Sequence, residues 1–351
     1  MIRRKISNFK KFLWSLLGLI FLSGLITAYI FYTRIYQPNV VMEYEKEVFV
    51  HIPTDATFED VQQILIASGV VQNTSSFRWV AEQKKYIHRI KSGRFLLENG
   101  MNNNELVNLL RSGRQTPVDV VFSNVRTKEQ LAGKVATQLE IDSLELLYAM
   151  VDTAFTNPLD LDANSVSCLF IPNTYEFYWD VSVADFLARM TAEHHHFWTE
   201  SRKTKAQKIK LSLEEITTLA SIVEKETLKK DEQPKVAGLY MNRLKRGIKL
   251  ESDPTVIFAI GDFTINRVLN KDLKIDSPYN TYKQKGLPPG PISIPSIQAI
   301  DAVLNYEKHD YIFMCAKDDF SGYHNFAKTY AGHLNNARKY RKALNQRGIK
   351  R

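Results

Sequence analysis

Between Phe12 and Thr33 the chain reads FLWSLLGLIFLSGLITAYIFYT, twenty-two residues without a charge. Wound as a helix, that stretch rises about 30 Å, the thickness of a bilayer's hydrocarbon core. It is apolar on every face, so it is predicted to be a transmembrane helix. Arg3, Arg4, Lys5, Lys10 and Lys11 precede it, and only Arg34 follows closely. The positive-inside rule then makes residues 1–11 a cytoplasmic N-terminus and puts everything after the helix on the far side of the membrane. A cleaved signal peptide would need a shorter apolar region and small residues at the cut. AYIFYTRIYQP has bulky side chains there, so an uncleaved single-pass anchor is the expectation.

Outside the cytoplasm there is no supply of ATP or nicotinamide cofactor, and the sequence has no phosphate loop or dinucleotide fingerprint. No cofactor and no metal are expected. Cofactor-free chemistry in that compartment is mostly hydrolysis, transfer or elimination on wall polymers, peptides or sugars. The formal net charge of +9 raises the question of nucleic acid, but much of the excess sits at the two ends. The interior mixes both signs, so no nucleic-acid face is expected. Cys168 and Cys315 are too few for a disulfide framework or a zinc site and read as two ordinary buried thiols.

The 351 residues allow two or three domains. After a short stalk, YQPNVVMEYEKE, VFVHIP alternates as a strand. TDATFEDVQQILIASGV reads as a helix capped by Thr57 with Asp60 and stopped near Gly69. IKSGRFLLENGMNNNELVNLLRSG supplies a strand, a turn and a helix with Leu106, Leu109 and Leu110 inward. Residues 47–113 are thus a small α+β module, and residues 118–346 a mixed α+β domain with helices near 127–140, 143–155, 182–200 and 212–229. FIPNTYEFYWDVS reads as a core strand and turn, with the wall of a cleft as the alternative. KGLPPGPISIPS is a stiff loop that ties parts together or forms a wall for a ligand.

The stretch LASIVEKET carries the sharpest question. Ser212 and Glu215 make a capping box, and Leu213, Ile216, Leu219, Ala220 and Val223 make a buried stripe. On a helical wheel Glu224 falls at the stripe's edge against small neighbours, Thr217, Ala220 and Ser221, where substrate or another part of the protein can approach. Partial desolvation there would raise its pKa and suit a general acid. Glu226 lies on the opposite edge, with Lys229 and Lys230 at i+3 and i+4 as surface partners. The wheel favours Glu224 and leaves a purely structural glutamate open. His194, His195 and His196 are successive on a helix and cannot converge on one ion. His324 and His333 lie in an aromatic strand-like stretch, and SPYNTY offers Asn280, Thr281 and Tyr282 to a sugar.

In order along the chain, FIPNTYEFY, LASIVEKET, KVAGLYMNRLKRGIKLESDPTV, SPYNTY, KGLPPGPI and HNFAKTYAGH resemble the YceG-like (MltG) family of membrane-anchored endolytic murein transglycosylases. The resemblance extends from the anchor to about residue 345. It implies that residues 47–113 are LysM-like and that the first glutamate of EKET, Glu224, is catalytic. Asn280, Tyr282, His324 and Phe326 become candidate substrate-binding residues. Asp253 is read as a cap before Pro254. The implied reaction cuts the β-1,4 bond between N-acetylmuramic acid and N-acetylglucosamine in nascent strands, leaving a 1,6-anhydro end. Peptidoglycan glycan strands, membrane lipid and penicillin-binding proteins are the implied partners, in a bacterial cell membrane. Ile294 and Ser296 around Pro295, and Gly332 before His333, depart from the family pattern. A hydrolytic muramidase and a non-catalytic glycan-binding scaffold are the alternatives.

Overall fold

The computed structural model describes residues 2–42, 47–265 and 267–347. Its elements follow in the order α1 (Ile2–Tyr36), β1 (Val48–Ile52), α2 (Phe58–Ala67), α3 (Thr74–Gln83), β2 (Gly93–Leu97), α4 (Asn103–Ser112), β3 (Val118–Val121), α5 (Lys128–Ala136), α6 (Ser143–Val151) and α7 (Thr153–Thr156). Then come β4 (Thr174–Phe177), α8 (Val183–Phe197), α9 (Glu200–Ile209), α10 (Leu213–Glu226), α11 (Gln233–Lys245), α12 (Asp253–Ile260), α13 (Ile297–Leu304), β5 (Phe313–Ala316), β6 (His324–Ala327) and α14 (Tyr330–Gln346). Among the described residues the strands form two-stranded sheets, β1 with β2 and β5 with β6 antiparallel, and β3 with β4, so the class is α+β. The chain forms two compact units, residues 1–118 with 176–180, and residues 119–175 with 181–351.

The first unit begins with α1, whose stretch Phe9–Tyr36 is long and apolar enough to cross a membrane. Its module pairs β1 with β2 in register, Val48 opposite Leu97 through Ile52 opposite Gly93. Alternation along β2 sends Gly93, Phe95 and Leu97 inward. The helices start where local chemistry dictates: Thr57 and Asp60 form a reciprocal capping box, as do Asn102 and Glu105. Phe58, Val61, Leu65, Phe77, Leu106 and Leu110 meet in one core. The expected stalk is instead part of this module, where it is described. Asn39 and Val40 are buried, and Val40 bridges Val71 while Pro38 bridges Asn102. Asn39 donates to Asn73 O at 3.0 Å and to Asn103 Oδ1 at 2.6 Å, so an amide network replaces a free tether. Residues 43–46 of that stretch lie outside the described residues.

The second unit is organised around α10, which packs on α11, α12 and α13. Ile216, Leu219, Ile222 and Val223 are fully buried in that core with Val236, Tyr240, Ile300 and Val303. Gly238 marks a close approach: a Cβ there would lie 2.2 Å from Glu307 O, so only glycine lets α11 reach the segment before β5. Arg243, itself buried, braces the far end. Its Nε donates to Ile312 O at 2.7 Å, and its Nη1 to Lys249 O at 2.8 Å and Glu251 Oε2 at 2.9 Å. The helices expected near 143–155 and 212–229 are shorter, ending at Val151 and Glu226. That second boundary matters for the site.

Candidate active site

α10 stops at Glu226 because Thr227 turns extended and its hydroxyl donates to Glu232 Oε2 at 3.0 Å. The end of the helix therefore faces a cleft of about 410 Å³. Glu226, Tyr240, Asp253, Tyr282, Cys315, His324 and His333 are among its lining residues. The Glu226 carboxyl accepts from Tyr240 Oη at 2.7 Å and from Ser252 Oγ. Burial raises its pKa above the usual glutamate value, and the charge of Asp253 adds to that; the two hydroxyls and His324 pull in the opposite direction. The Tyr240 hydroxyl is held neutral by burial and by that same carboxyl.

Glu224 is placed elsewhere. It does not line this cleft, and its Oε1 accepts the Ser296 N–H at 3.1 Å. The small face of α10 is approachable, as the wheel indicates, and the proline loop occupies it: Ile292 N donates to the buried Ser221 Oγ at 3.0 Å. Ser296 caps α13 by accepting from Ala299 N, so Glu224 adds a negative charge at a helix N-terminus. This accounts for serine at position 296. Ile294 is buried and donates its N–H to Val125 O at 2.9 Å.

The reading of Glu226 as a surface residue paired with Lys229 and Lys230 is overturned. The i+3 and i+4 rule needs a helix, and α10 has ended; Lys229 instead lies over the Tyr323 ring. The reading of Asp253 as a cap is also corrected. Ser252 holds the N-cap position, and Asp253 Oδ1 accepts from Tyr282 Oη at 2.7 Å on the cleft wall. Tyr282 and His324 line the cleft, whereas Asn280 and Phe326 do not. Asn280 is fully buried, with Nδ2 donating to Leu273 O and Ile275 O and Oδ1 accepting from Tyr282 N, so it shapes the SPYNTY turn. Phe326 packs on the α10–α11 core beneath His309 and Tyr311.

Sequence reasoning missed Glu232. It is 6% exposed, accepts the His324 N–H at 2.7 Å, and meets His324 Nδ1 at 2.8 Å. Burial pushes its pKa up, but these bonds and the His324 charge outweigh that and lower it. Glu232 thereby holds the His324 ring through Nδ1 on the cleft wall. A charged residue six positions after the end of α10 and just before α11 gives no sequence signal of such a role. Neither Cys168 nor Cys315 is disulfide-bonded; Cys168 is buried as expected, whereas Cys315 lines the cleft. Away from the site, His194 is a partly buried residue that accepts from the Trp198 indole at 3.0 Å, and burial lowers its pKa to about 4.

The YceG-like family model matches residues 50–339. The chain belongs to the YceG-like family. It is 29% identical over 316 residues to the endolytic murein transglycosylase of Bacillus subtilis, covering 86% of each chain. It is 29% identical over 303 residues to the endolytic murein transglycosylase of Streptococcus pneumoniae, and there it spans 54% of that relative's length. Among solved structures, a YceG-like protein of Listeria monocytogenes superposes with a TM-score of 0.55 at 28% identity, over 83% of this chain and 99% of that one.

Proposed function

We propose that this YceG-like chain is an endolytic murein transglycosylase, with Glu226 rather than Glu224 as its proton donor. The observation that carries the choice of residue is the enclosure of the Glu226 carboxyl at the cleft, with a raised pKa and two hydroxyl partners. A protonated carboxyl near neutral pH is what a departing sugar oxygen needs. Glu226 gives its proton to the glycosidic oxygen as the C1–O bond between N-acetylmuramic acid and N-acetylglucosamine breaks. The muramyl C6 hydroxyl oxygen then closes on C1, and its proton returns to the Glu226 carboxylate. No water is consumed, because the nucleophile is already part of the sugar and proximity supplies what a second carboxylate supplies in hydrolases. Asp253, oriented by Tyr282, puts a negative charge beside the positive charge that develops on the ring. His324 Nε2 positions a substrate carbonyl or hydroxyl.

On the same reading α1 is a single-pass membrane anchor, with the N-terminus cytoplasmic and everything after the helix outside. Residues 47–113 are the LysM-like module, and residues 118–346 the catalytic domain. A hollow of about 460 Å³ beside Pro53–Ala56 and Ile90–Ser92 suits a glycan strand on that module.

Glu226→Gln and Glu224→Gln, each incubated with purified glycan strands, test the assignment. Glu226→Gln is expected to stop the appearance of anhydro-ended fragments and Glu224→Gln to leave it within a few-fold. The reverse pattern restores Glu224. One observation favours hydrolysis as a second reading: Asp253 gives the cleft a second carboxylate. Product mass decides, since a reducing end is one water heavier than an anhydro end.

A further inference from the structure

The end of α1 is built into the module. Phe31 stacks on Trp79 of α3, ring centroids 5.3 Å apart, and the Arg34 guanidinium lies 5.9 Å from the same indole. Arg34 O accepts from Asn103 Nδ2 at 2.8 Å, and that amide also donates to Ser76 Oγ at 2.8 Å. Ser76 thus stands level with Arg34, and Trp79 level with Phe31. At 1.5 Å per residue, α3 runs back along α1 toward the apolar stretch. Its C-terminal end, with Lys84 and Lys85, lies deeper still. Tyr29, Tyr32 and Tyr36 are exposed on the same turns of α1, the residue type that settles at headgroup level.

Cations dominate the chain from that end of the module onward, and the one acid in the last turn of α3, Glu82, is paired with Arg78 at 3.1 Å. From Lys84 to Arg94 there are five Lys or Arg and no acidic residue. Lys84 Nζ bonds to two neutral amides, Asn104 and Asn108, and Arg111 donates to Lys84 O at 2.9 Å. Neither cation makes an ion pair among the described residues. Two adjacent cations without a carboxylate fit an external anion, and the spanning helix brings the phosphates of the bilayer to them.

We infer that the module is seated in the lipid headgroup layer, with Trp79 in the interfacial belt and Lys84 and Arg111 on phospholipid phosphates. It does not swing on a tether. This rests on the anchor reading, and the test separates the two. The full-length protein is reconstituted into phosphatidylcholine–phosphatidylglycerol vesicles brominated either high on the acyl chain or near its end. Tryptophan emission is compared among wild type, Trp79→Phe and Trp14→Phe. Trp79→Phe is expected to remove a component quenched by the shallow bromines and little affected by the deep ones. Lys84→Glu with Arg111→Glu is expected to reduce that quenching several-fold, and Lys84→Arg to keep it. Quenching of Trp14 without any of Trp79 overturns the docking and leaves the anchor standing. Absence of quenching at both overturns the anchor and the docking with it.

Discussion

The module and the cleft use burial in opposite ways. In the module, Phe77, Leu106 and Leu110 are buried apolar groups whose removal from water stabilises the fold. In the cleft, Glu226, Glu232 and Tyr240 are polar groups held away from water, each needing partners to offset lost hydration. The module's core stabilises its own unit, and in the second unit the apolar core around α10 offsets what the polar groups of the cleft cost.

The largest expected effect lies on the cleft side. Glu226→Gln should lower kcat/KM by about 10³-fold, roughly 4 kcal/mol of transition-state stabilisation. It should also raise the melting temperature at neutral pH. The sign follows from linkage: with its folded pKa raised above 4.5, Glu226 favours folding fully below that value, and the contribution is lost as pH rises through the raised one. Glutamine never ionises, so the gain should vanish in calorimetry at acid pH. A variant that loses activity and stability together at neutral pH would break the comparison.

Next in size is the module. Leu106→Ala, at a fully buried position, should destabilise by about 2–5 kcal/mol. The rate on short soluble glycans should stay within a few-fold. An equal loss of activity would mean that the module's core also supports the chemistry.

A smaller effect is expected at Glu232→Gln. Glu232 has a lowered pKa, so its stabilisation is present above the usual glutamate value of 4.5 and is lost as pH falls through the lowered one. The variant should be about 1.5–3 kcal/mol less stable at neutral pH, and the difference should shrink in acid. KM should rise more than kcat falls, because His324 positions substrate and loses its brace.

The same contrast explains what the sequence made legible. Thr57 with Asp60 and Ser212 with Glu215 were readable because a cap and its partner are three residues apart. The α10 stripe was readable from its period. The cleft joins the end of α10 to Ser252, Tyr282 and His324, separated by 26 to 98 positions, and no periodicity reports such meetings. The wheel described the face of Glu224 well but not its occupant, the proline loop. It failed at Glu226 because a single extended residue, Thr227, removes the helix on which the lysine pairing depended.

The smallest effect is the most specific. Ser252 and Tyr240 both donate to Glu226 Oε1 and so favour its charged form. Ser252→Ala removes one donor, leaving the carboxyl harder to ionise. A general acid works only while protonated, so activity falls as pH rises through its pKa. The alkaline limb of the kcat/KM profile should therefore move to higher pH in Ser252→Ala, with the acid plateau changed by less than about tenfold. Tyr240→Phe should move it the same way. If Glu224 were the donor, neither change would touch its environment, since its partner is the Ser296 N–H on the proline loop. An alkaline limb that stays fixed in both variants would remove Glu226 from the reaction, even if Glu226→Gln were inactive through altered packing.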